Sequence, residues 1–336
     1  MINISFKKNN FEFLRLICAI QVMLEHSNSE YIKRYLYIDY FPGLAVFFFI
    51  SGYLVFASYD NCKDIKSFYL NRILRIYPGL VFASFVGLVL TIVITNKSNY
   101  TNNEIYYLEC FKWFFFQISL MQSYNPYHIE QVINWVTWTI TIEILFYLIV
   151  PIFFIKRKLT NYLVFFFFLF SVIYLIFFLK GENSYIYYLN FSPIQFGWMF
   201  MTGSFFYLNF DLFYKYRRYF IVTIIPLVFM VLVDSNNIIF KLPTSSYDLG
   251  FLYFFCLSSI CFYFAYNFDY KILKLNFDFS YGIYLFHTLV INYLWVFFGF
   301  SNMYLILFFT LIFSIFSWFV IERPFLKMKI NNLKKI

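Results

Sequence analysis

The chain has 336 residues, of which 62% are hydrophobic, 27% aromatic and 13% charged. A soluble domain is about half apolar and about a quarter charged, so a soluble enzyme, a disordered protein and a disulfide scaffold are excluded. The net charge of +9 would suggest nucleic acid in a soluble protein, but here it fits the basic cytoplasmic loops of a membrane protein. Alternating strands with polar lumen positions are missing, which sets aside a β-barrel. The remaining reading is an all-α, polytopic transmembrane helix bundle, a single membrane-embedded domain over 1–336.

A spanning helix needs about 20 mostly apolar residues. Lys7 and Lys8 precede the first apolar run, and no small-residue cleavage pattern follows it, so it reads as an uncleaved helix. About ten spans are predicted in chain order, near 11–28, 37–58, 76–96, 138–155, 161–179, 191–209, 219–234, 248–267, 280–299 and 302–321. The shorter run 110–122, which holds Lys112, is expected to be re-entrant or interfacial. With the N-terminus inside, 19 of the 26 Lys and Arg fall on the cytoplasmic side and six outside, with Arg15 inside the first helix. That asymmetry predicts ten spans with both termini cytoplasmic. His128 falls in the long external loop and is expected to be solvated.

Ionisable residues inside apolar helices are costly and point to function by default. This chain has few: Glu12, Arg15, Glu25, His26, Glu143 and His287. Arg15 and His26 lie eleven residues apart, on one face of the first helix and about 16 Å apart along it. Arg15 could also be a snorkelling charge, and His26 an interfacial histidine bonded to a neighbouring helix. Glu143 enters from outside on the fourth span, and depth counting puts it level with His26. The two are expected to form a general-base pair, a carboxylate orienting an imidazole. The alternative is a structural Glu satisfied by Thr139. Arg72 and Arg75 are an i, i+3 pair at the cytoplasmic mouth of the third span, suited to a phosphorylated cofactor or to lipid head groups. Ser280, Tyr284 and His287 share a face, either lining a cavity or bonding helices together.

Other chemistries find no support. Five cysteines show no C-x-x-C spacing, and three scattered histidines do not make a metal site. No Gly-rich phosphate loop and no G-x-S-x-G elbow is present.

In chain order these residues resemble the acyltransferase-3 family of integral membrane acyltransferases, which includes O-acetyltransferases of bacterial surface polysaccharides. The resemblance is carried by Phe13-Leu14-Arg15 with His26, by Gly43 through Tyr53, and by Phe68, Arg72 and Arg75-Ile76-Tyr77-Pro78. It continues in Trp138-Thr139, Glu143, Phe146-Tyr147 and Pro151, then Ser280-Tyr281, Tyr284-Leu285, His287 and Glu322-Arg323-Pro324-Phe325. Glu12 stands where the family usually has Asp, and Thr139 where Ser is commoner. The segment 160–270 offers no recognised motif.

The resemblance implies a plasma-membrane enzyme of a bacterium. It would move an acyl group, acetyl above all, from cytoplasmic acyl-CoA to a hydroxyl of a saccharide or lipid-linked glycan, with no metal and no nucleic acid. Arg72 and Arg75 would hold the donor, with Arg15 helping, and His26 would act on the acceptor hydroxyl. The competing reading is a transporter or flippase of a lipid-linked glycan, for which no internally repeated halves are visible.

Overall fold

The computed structural model describes residues 9–27, 40–97, 104–119, 134–178, 192–235, 250–269, 277–299 and 302–328. The expectations for His128, for most of the long external loop and for both chain ends lie outside these residues. Almost all of the described chain is helical, as α1 (Phe11–His26), α2 (Gly43–Asn61), α3 (Ile65–Lys97), α4 (Glu104–Ile118), α5 (Trp138–Phe153) and α6 (Thr160–Phe178). There follow α7 (Pro193–Leu208), α8 (Phe210–Tyr216), α9 (Ile224–Ser235), α10 (Phe251–Asn267), α11 (Ser280–Phe298), α12 (Met303–Phe316) and α13 (Arg323–Lys327). Every one of the ten predicted runs carries a helix. The all-α expectation holds among the described residues, none of which belongs to a strand element.

Four helical stretches, Gly43–Asn61, Ile65–Val93, Arg157–Leu175 and Met303–Lys327, are long and apolar enough to cross a bilayer. Their outward faces carry large exposed apolar side chains, Phe165, Phe166 and Phe170 on α6 and Phe308 and Ile312 on α12. In water such surface would be unstable; in lipid it is the expected outer face.

Three elements differ from expectation. The third helix begins at Ile65, eleven residues before the predicted edge, because Asp64 caps it. The Asp64 carboxylate accepts from Ser67 N at 2.8 Å and from Ser67 Oγ at 3.0 Å. Arg72 and Arg75 therefore lie within the helix, as their i, i+3 spacing implies. The seventh run is split into a 3-10 stretch, Arg217–Thr223, and α9, with Pro226 in the first turn of α9, where a missing N–H costs nothing. The last helix widens into a π-helical stretch, Ser317–Glu322. A π turn brings residues five apart into register, and there Ser317 Oγ donates to Glu322 Oε1 at 2.8 Å.

The centre of the bundle is the α2–α7 crossing. A Cβ on Gly52 would lie 1.8 Å from Phe200 O, and one on Gly203 would lie 1.9 Å from Phe49 O. The two backbones are in contact, as small residues allow where lipid gives no hydrophobic driving force. Aromatic rings close around this contact. Phe146 of α5 stacks on Phe200 with centroids 4.0 Å apart, and Phe48 stacks on Phe196 at 5.0 Å. Gly203→Ala should force the helices apart and cost about 1–3 kcal/mol or more. Thermal unfolding of the detergent-solubilised protein is expected to show a clear drop in midpoint. Gly250→Ala, where a Cβ meets nothing within 4 Å, should leave the midpoint in place.

Candidate active site

The site is built on α1 and α11, which run in the same direction and are joined at two levels. At the lower level Arg15 of α1 lies 4.0 Å from Asp278, two residues before α11. At the upper level His287 Nε2 lies 3.1 Å from His26 Nδ1. Helix α3 meets the lower level and helices α2 and α5 form the facing wall.

Asp278 is the hub of the lower level. Arg75 of α3 is ion-paired to it, and Ser280 Oγ donates to its other oxygen. Burial pushes the Asp278 carboxyl up, but the guanidiniums of Arg75 and then Arg15 outweigh this and hold it below the usual carboxylate range. Arg72, one turn before Arg75, makes no salt bridge among the described residues. Its guanidinium rests over the rings of Phe68 and Tyr147, 5.6 and 5.4 Å from the centroids, and its Nε is buried without a hydrogen-bond partner. An orphaned donor on a permanent cation is what an anionic ligand would satisfy.

Two cavities follow one another along α2 and α5. The lower is lined by Arg72, Arg75, Leu54 and Tyr147 among others. The upper is lined by Leu44, Phe47, Ile140, Ser280 and Tyr284 among others. Both are bounded by Arg15, Ser51, Glu143 and Tyr281, so they abut at that layer. In the layer, the Glu143 carboxylate accepts from Tyr147 OH and from Ser51 Oγ, the latter at 3.4 Å. At the far wall Tyr284 OH lies 2.6 Å from Thr139 Oγ1, and the Tyr284 ring is 6.0 Å from that of His287. His287 is fully buried, whereas His26, the last residue of α1, is exposed among the described residues.

The residues singled out from sequence thus fall on one line. Arg72, Arg75 and Arg15 stand at the lower cavity, Glu143 at the junction, Ser280 and Tyr284 around the upper cavity, and His287 and His26 beyond Tyr284. The predicted pairing of Glu143 with His26 is corrected. Glu143 is bonded to Ser51 and Tyr147, and His26 is bonded to Val22 O, at 2.9 Å, and to His287. Depth counting failed because α5 does not start at the bundle surface. Asn134, Val136 and Thr137, just before it, are buried. Asn134 donates to Leu285 O at 3.0 Å and accepts from Thr288 at 2.7 Å. The helix starts inside the bundle, so Glu143 lies deeper than a count from the surface implies.

Sequence reasoning missed Asp278, and it named Tyr147 and Ser51 within the motifs without giving either a role. The signal for Asp278 was a lone acid two residues ahead of a spanning run, beyond the apolar boundary where ionisable residues draw attention. Helix α4, expected to be re-entrant or interfacial, packs on α3, with Trp113 buried against Gly87. Its Gln117 accepts from Thr137 at 2.8 Å. Among the described residues no cluster of three or more His, Cys, Asp or Glu could hold a metal, and the five cysteines form no disulfide.

Comparison with known proteins identifies the family. The family model described as an acyltransferase domain, acyltransferase-3, matches residues 8–323. Nodulation protein 10 of Rhizobium leguminosarum bv. viciae is 32% identical over 168 residues, 43% of each chain. A Staphylococcus aureus (strain COL) protein, named provisionally as an O-acetyltransferase, is 25% identical over 356 residues, 95% of this chain and 57% of its own. O-acetyltransferase OatA of Staphylococcus aureus (strain NCTC 8325) is 26% identical over 194 residues, 52% of this chain and 30% of its own. The chain spans about half the length or less of these curated relatives. No solved structure matches. The family match runs from before α1 into α13 and takes in every residue of the line from Arg72 to His26: this multi-pass membrane protein belongs to the acyltransferase-3 family.

Proposed function

We propose that the protein is a membrane O-acyltransferase of the bacterial plasma membrane. It takes an acyl group, acetyl above all, from cytoplasmic acyl-CoA and gives it to a hydroxyl of a cell-surface or lipid-linked saccharide. The observation that supports this is the run of polar side chains along two abutting cavities, from Arg72 through Glu143 to Tyr284, with the His287–His26 pair beyond Tyr284. The names of the staphylococcal relatives support an acetyl donor and an ester product.

In this reading the phosphates of the donor meet Arg72, whose buried Nε has no partner, with Arg75 and Arg15 adding positive potential. The long thiol arm passes Ser51 and Glu143 into the upper cavity, where Leu44, Phe47 and Ile140 accept a small apolar acyl group. The acceptor hydroxyl arrives from the opposite side, at His26. Its oxygen attacks the thioester carbonyl carbon while the proton moves to His26 Nε2. The carbon–sulfur bond then breaks, and the proton held by His26 Nε2 passes on to the leaving thiolate, so that the products are an O-ester and the free thiol and His26 is neutral again. Glu143 and Tyr147 act at the donor side of this step, not as the partner of His26.

Native membranes supplied with acetyl-CoA labelled in the acetyl group test the reading. Base-labile label on saccharide, present only when the protein is expressed, is the expected result. Absence of transfer to any saccharide under those conditions would sink it. Arg72→Ala should raise the KM for acyl-CoA by about 10- to 100-fold, the worth of a charge-assisted hydrogen bond, with little change in protein yield. An unchanged KM would remove Arg72 from donor binding.

A further inference from the structure

The two histidines that close the line constrain each other's protons. His287 Nδ1 lies 3.1 Å from Ile283 O, a carbonyl that can only accept. His287 therefore carries its proton on Nδ1, and a neutral His287 presents a lone pair at Nε2. His26 Nδ1 lies 2.9 Å from Val22 O, which likewise can only accept, so His26 also carries its proton on Nδ1. The 3.1 Å contact between His287 Nε2 and His26 Nδ1 fits these two carbonyl contacts in the following way. The His26 Nδ1–H is shared between Val22 O and the lone pair of His287. The basic nitrogen of His26 is Nε2.

We propose that His287 is a positioning residue for acyl transfer, acting through His26. Its Nε2 accepts the His26 Nδ1–H, which orients the ring and keeps the lone pair on His26 Nε2. When Nε2 takes the hydroxyl proton, the charge that appears on the ring is stabilised through that same bond. In hydrolytic triads a carboxylate holds the base histidine. Here a neutral imidazole, fully buried, does so without placing a fixed negative charge among apolar helices, where it would be costly. The buried carboxylate at Glu143 is bonded to Tyr147 and Ser51 instead. This inference rests on the reading of His26 as the base.

The test uses the full chain in native membranes and measures kcat and KM for His287→Phe and His287→Gln. Phenylalanine keeps the ring volume and removes the acceptor. Glutamine keeps an acceptor oxygen at about the reach of Nε2. Phenylalanine is expected to lower kcat by about 10- to 100-fold with KM for acyl-CoA unchanged, and glutamine to recover most of the loss. In a His26→Ala background, His287→Phe should cost nothing further.

A His287→Phe variant within threefold of wild-type kcat would overturn the inference. So would equal loss in both variants at normal yield, or full additivity with His26→Ala. If His26→Ala itself keeps the rate, the base reading fails first, which distinguishes the two failures. A measurement independent of activity and of the variants is available because the chain has only three histidines. Solid-state NMR of the wild-type protein labelled with nitrogen-15 histidine should show His26 and His287 both protonated on Nδ1. A His26 protonated on Nε2 would overturn the assignment.

Discussion

His26→Ala is expected to lower acyl transfer by roughly 10²-fold or more, the usual contribution of a positioned general base. The loss should fall on kcat. In the proposed reading the donor binds at the arginines, about three helical turns away, so the KM for acyl-CoA should change little. Protein yield should also hold, because His26 is exposed among the described residues and removing it opens no core cavity. Mass spectrometry of saccharides from cells carrying wild type, His26→Ala or no protein reads the outcome directly. An acyl mass increment in both expressing strains would remove His26 from the chemistry. An increment in the wild type alone would also identify the acyl group.

The second large effect is expected at Asp278, and of a different kind. Asp278 is the buried counter-ion of Arg75, with side chains 12% and 14% exposed, and it lies 4.0 Å from Arg15. Asp278→Ala removes the carboxylate that pairs with Arg75 and lies 4.0 Å from Arg15, in a site that is largely buried. Removing one partner of such a pair costs about 3–5 kcal/mol. A steep fall in the unfolding midpoint and in yield is therefore expected. The contrast is Arg157, whose side chain is 61% exposed in its pair with Asp60. Arg157→Ala should cost less than about 1 kcal/mol, since solvent already screens that pair. Equal effects at the two sites, measured by thermal unfolding in detergent, would show that Asp278 is not the hub described above.

Hydropathy alone located every helix that builds the site, because bilayer thickness imposes run lengths that soluble folds do not. The i, i+3 spacing of Arg72 and Arg75 and the eleven-residue spacing of Arg15 and His26 were likewise legible, since both are properties of a single helix. Contacts between helices were not. His26 and His287 are 261 residues apart, and hydropathy reports the depth of each but not the direction in which it faces. Depth itself misled at Glu143, where the chain enters the bundle before it begins to coil. Asp278 escaped notice because its role depends on the N-terminal end of α11 meeting α3, a tertiary fact written nowhere near it in the chain.

The two walls of the site differ in how much change they can absorb. The wall from α1 and α11 is a framework of paired charges and shared protons, in which each group satisfies another. A single substitution there orphans a neighbour. The wall from α2 and α5 presents, beside Ser51, Thr139 and Glu143, the apolar side chains of Leu44, Phe47, Phe48 and Ile140 to the upper cavity. Phe48 is tied to the bundle centre by its stack on Phe196, whereas Leu44 and Phe47 can change volume without orphaning a charge. If the upper cavity takes the acyl group as proposed, acyl-chain preference is expected to drift through Leu44 and Phe47, with the ion pairs of the first wall unchanged.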